Sequence, residues 1–71
     1  MNTTKVPNLR ISVNTGLRNM LYCQLIYARP YKRWDEAMYW DCAEDMLNNQ
    51  DHPAYRFIPK EIQEFVEKIM F

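Results

Sequence analysis

Glycine, serine and histidine are almost missing from this chain of 71 residues, which holds only Gly16, Ser12 and His52 of these types. A single glycine cannot build a phosphate-cradling loop. With one serine and one histidine there is little from which to assemble nucleophilic catalysis, and His52 lies in Asp51-His52-Pro53, which reads as a solvated turn. Cysteine is scarce too. Cys23 and Cys42 are too few for a disulfide scaffold and too far apart for a CxxC site, so reduced, buried thiols are expected. No zinc-module spacing joins them to His52, and neither a metal nor another cofactor is expected. The neighbouring carboxylates Asp35/Glu36 and Glu44/Asp45 would point in different directions on a helix. The chain is therefore read as having no catalytic chemistry.

Long apolar runs are also lacking, since none exceeds four residues. Such runs neither span a membrane nor supply the core of a signal peptide, so a cytoplasmic location without membrane contact is expected. Asn2-Thr3-Thr4 spells a glycosylation sequon that then has no secretory route.

What is present suits one small globular domain over residues 1–71. A chain this short buries only about 60% of its surface, a thin basis for a core. Two Trp, five Tyr and three Phe help, because aromatic rings bury much area for little lost rotamer freedom. Residues 1–8 are polar, contain Pro7, and are expected to form a loose arm. Leu9, Ile11 and Val13 alternate with Arg10 and Ser12 as in a short extended segment, with Asn14 or Thr15 as the cap of a first helix. That helix is expected over 16–28, stopped by Pro30. A second follows over 34–48, with Asp35 and Glu36 at its positive end and Tyr39, Trp40, Cys42, Ala43, Met46 and Leu47 on an apolar face.

Pro59 opens a third helix over 59–70, where Ile62, Phe65, Val66 and Ile69 form the clearest stripe and Phe65 is expected in the core. The expected class is all-α, a three-helix domain with a short extended N-terminal segment. The alternative is α+β, with a two-stranded ribbon from residues 9–13 and 54–58.

Net charge zero conceals a division into blocks. Residues 1–33 carry Lys5, Arg10, Arg18, Arg29, Lys32 and Arg33 and no acid, whereas residues 34–54 carry Asp35, Glu36, Asp41, Glu44, Asp45 and Asp51 and no Lys or Arg. A merely solubilising surface would mix the signs. Three readings follow. The two blocks can attract each other within the fold, guiding orientation more than stability. The connector residues Tyr27, Arg29, Tyr31, Lys32, Arg33 and Trp34 interleave cations with aromatics, a mixture that contacts phosphate and stacks on bases of RNA or single-stranded DNA. Or the chain binds a protein, through that connector or through the acidic face bearing Asp41, Glu44 and Asp45, since Trp, Tyr and Arg are the residue types of interface hot spots.

Small size, scarce glycine and abundant Asn, Tyr, Met, Lys and Ile make the composition similar to that of accessory proteins with which bacteriophages redirect host machinery. That resemblance of class implies a stoichiometric inhibitor or adaptor. A protein partner is the expected ligand, nucleic acid is the alternative, and association with a second copy is open.

Overall fold

Leu9, Val13, Leu17, Leu21 and Leu25 follow one another at intervals of four, the spacing that keeps side chains on one face of a helix. The computed structural model describes the backbone of residues 5–71 and the side chains from Val13 onward. In it the interval of four prevails over the alternation, and helix α1 runs Lys5–Ala28. The expected extended segment 9–13 is therefore helical. Asn14 and Thr15 lie inside α1 and cap nothing. Of the expected arm, residues 5–8 are helical and residues 1–4 lie outside the described residues. Pro7 is tolerated because it sits in the first turn, where the missing N–H would have no partner within the helix. Arg29 then takes a left-handed conformation at φ 47°, its N–H donating to the Leu25 carbonyl at 2.7 Å, and Pro30 prevents continuation.

Helix α2 covers Glu36–Leu47, and Asp35 caps it by accepting the Met38 N–H at 3.0 Å. A 3₁₀ turn, Pro53–Phe57, and helix α3, Lys60–Met70, complete the order. There is no strand among the described residues, so the ribbon alternative falls and the three-helix, all-α class stands. Residues 54–57 turn because His52 Nδ1 accepts the Ala54 N–H at 3.0 Å and starts the 3₁₀ hydrogen bonding.

Leu17, Leu21 and Leu25 of α1 meet Tyr39, Cys42, Ala43, Met46 and Leu47 of α2, and Ala54, Tyr55, Ile58 and Val66 close the core. Two buried phenols find backbone partners. The Tyr39 hydroxyl accepts the Tyr31 N–H at 3.0 Å and donates to the Tyr31 carbonyl, while Tyr55 donates to the Met46 carbonyl at 2.6 Å. No buried side-chain polar atom among the described residues lacks a partner.

Two expectations about the core need correction. Phe65 is 48% exposed, because α3 packs by one edge only: Val66 is fully buried and Ile62 and Met70 partly so, which turns Phe65 and Ile69 outward. Cys23 is exposed as well. It stands two residues from both Leu21 and Leu25, and that offset points it away from the face they bury.

Candidate functional site

Helix α1 and helix α2 lie antiparallel, and their opposite charges meet. The Arg18 guanidinium is 3.1 Å from Glu44 and 3.7 Å from Asp41, and Arg29 is 3.5 Å from Glu36. Arg18 is further held by its Nε donating to the Trp40 carbonyl at 3.2 Å and by the Trp40 ring, whose centre is 4.3 Å from the guanidinium carbon. Tyr22 meets that ring edge-on, with centroids 5.1 Å apart. Part of the charge division thus serves internal pairing.

Two of the connector's three aromatics, Tyr31 and Trp34, pack against the fold. Tyr31 packs against Trp34 at 4.3 Å, against Tyr39 at 6.4 Å and edge-on to Phe57 at 5.6 Å. These contacts engage the Tyr31 ring within the fold. Tyr27 is 90% exposed and makes no aromatic contact among the described residues. Lys32 and Arg33 are exposed and belong to no ion pair among the described residues.

Another face of α2 lines an open groove of about 270 Å³. Met38, Asp41, Cys42 and Asp45 recur there at intervals of three, one and three residues, the period that puts them on one side of a helix. Trp34 closes one part of the groove and His52 another. The groove gathers Trp34, Asp41 and Asp45 from the residues singled out by sequence. It leaves out Tyr27, Arg29, Tyr31, Lys32 and Arg33, while Glu44 lines a different depression beside Arg18. Met38, Cys42 and His52 are additions that sequence reasoning missed. The interval of Met38, Asp41 and Asp45 was visible in the chain, but His52 arrives through the fold of the loop after α2 and had no local signal.

Asp45 belongs to no ion pair among the described residues, and Asp41 is the more distant of the two carboxylates at Arg18, 3.7 Å against 3.1 Å for Glu44. Burial, and then the negative charge of Asp45, push the Cys42 thiol above its ordinary value. That is the reverse of what a reactive cysteine needs. Among the described residues no three His, Cys, Asp or Glu side chains stand close enough to hold a metal ion. No helix among the described residues is long and apolar enough to cross a membrane. No family model, curated protein or solved structure matches this chain.

Proposed function

We propose that the protein is a non-catalytic binding module, an inhibitor or adaptor, whose protein partner places an arginine or lysine side chain in the groove between Trp34 and Asp45. One observation carries this reading. The fold already holds one cation by an indole and carboxylates of α2, Arg18 against Trp40, Glu44 and Asp41. The groove offers the same pair of group types, the indole of Trp34 with the carboxylates of Asp41 and Asp45, and no Lys or Arg of the described chain answers Asp45. Guanidinium suits such a setting because it stacks on an aromatic face while its N–H groups bond a carboxylate. Met38, exposed on the same face, adds a side chain that adapts to a partner's shape.

Binding of RNA or single-stranded DNA is the competing reading and rests on Tyr27, Lys32 and Arg33. Two free cations would neutralise about two phosphates, beside a groove of the wrong sign.

Calorimetric titration of the full chain with an arginine-bearing helical peptide, and separately with a single-stranded oligonucleotide, separates the two. The peptide should bind, replacement of its arginines by glutamine should abolish binding, and Asp45→Lys should weaken it at least tenfold. Tighter binding of the oligonucleotide, or an Asp45→Lys protein that binds the peptide like the parent, would reject the groove as the site.

A further inference from the structure

Helix α3 is amphipathic but only half seated. Ile62, Phe65 and Ile69 recur at intervals of three and four residues, the spacing with which one helix presents a seam to another. Within its own fold that seam is incompletely covered, Phe65 being 48% and Ile69 44% exposed. Glu61 and Lys68 stand one position before Ile62 and Ile69, so both lie on one flank of the seam, on the side of Phe65 away from buried Val66. Both are exposed, and neither belongs to an ion pair among the described residues. Phe65 falls midway between them.

We propose that α3 docks antiparallel on the α3 of a second copy of this chain, about a two-fold axis beside Phe65. In such a pair the same flank of each helix faces itself, so residues equally distant from the axis meet. Glu61 of one copy then meets Lys68 of the other, and symmetry repeats the contact. A parallel two-fold pair would instead put Glu61 and Lys68 of one copy on the opposite side of the seam from those of the other, where they do not meet. The opposite signs at these two positions are what self-association in the antiparallel sense requires, and they are what selects a second copy as the occupant. The face belongs to an 11-residue helix, well short of a standard interface, so the dimer is weak and forms reversibly with concentration. It leaves the Trp34 groove free.

Sedimentation equilibrium of the full chain, from about 10 μM to about 1 mM, spans the affinities such a small contact gives. The expected mass rises from 8.7 kDa toward twice that value. Glu61→Lys alone and Lys68→Glu alone should each remain monomeric over the range, because each sets like charges together at both contacts. An equimolar mixture of these two variants should dimerise again, and so should a chain carrying both substitutions. Phe65→Ser should be monomeric with an unchanged far-ultraviolet spectrum. A constant mass of 8.7 kDa for the parent, single charge variants that dimerise as it does, or a mixture that stays monomeric would each overturn the proposal.

Discussion

Replacing Arg18 by alanine removes the one side chain that joins the basic helix to the acidic one through three kinds of contact. Its side chain is 21% exposed, so solvent screens it only in part. The charged donor on the Trp40 carbonyl contributes about 1.5 kcal/mol or slightly more. Stacking on the Trp40 ring adds about 1 kcal/mol. The pairs with Glu44 and Asp41 add at most about 1 kcal/mol together, because both carboxylates are largely solvated. Ordering so long a side chain opposes this by about 1 to 2 kcal/mol. A net loss of about 2 kcal/mol follows, which in a domain of this size lowers the melting temperature by about 8 to 16 °C.

Chemical denaturation of the variant, with double-mutant cycles against Trp40→Leu and Glu44→Gln, apportions the loss. The coupling to Trp40 should exceed the coupling to Glu44, and high salt should weaken only the latter. A loss below about 0.5 kcal/mol would refute the view that Arg18 holds the two helices in place. So would a coupling carried mainly by Glu44.

Other substitutions probe the remaining layers. Gly16→Ala should stabilise by about 0.5 to 1 kcal/mol, seen as a higher melting temperature, because Gly16 is helical without positive φ and an added Cβ meets nothing within 4 Å. Tyr39→Phe should cost about 1 to 3 kcal/mol in denaturant titration, since it strips both backbone partners from Tyr31 inside a packed cluster. Leu21→Ala should cost about 2 to 5 kcal/mol and Phe65→Ala clearly less, as the first is fully buried and the second half exposed; equal losses would mean that α3 is seated more deeply. Burial raises both the Cys42 thiol and the Tyr55 phenol above their ordinary values of 9.0 and 10.0. A folded-state value raised in this way gives stability that is complete below the ordinary value and is lost as pH climbs through the raised one, so the melting temperature should fall above about pH 9 while Cys42 resists alkylation that Cys23 accepts.

The three helices were legible because each carries an apolar stripe at helical spacing and because Pro30 and Pro59 mark boundaries. The start of α1 was misread for a definite reason. Leu9, Ile11 and Val13 fit a period of two locally, whereas Leu9, Val13 and Leu17 fit an interval of four only when the stripe is followed across Gly16. Phe65 was misplaced because a stripe reports which face is apolar and not how much of that face a neighbour covers. Asp41 and Asp45 could be picked out as carboxylates of the acidic helix, but which of these face a groove and which face Arg18 depends on the side from which α1 approaches. Tyr31, read as a binding residue, is taken up by its contacts with Trp34, Tyr39 and Phe57.

The most direct test of the groove as a partner site is to map it residue by residue with amide and indole resonances of the labelled chain during titration with the arginine-bearing peptide. Shifts should concentrate at Trp34, Met38, Asp41, Cys42, Asp45 and His52, with Trp40, already capped by Arg18, left in place. Shifts that instead cluster at Tyr27, Lys32 and Arg33, or a spectrum that does not change at saturating peptide, would contradict it.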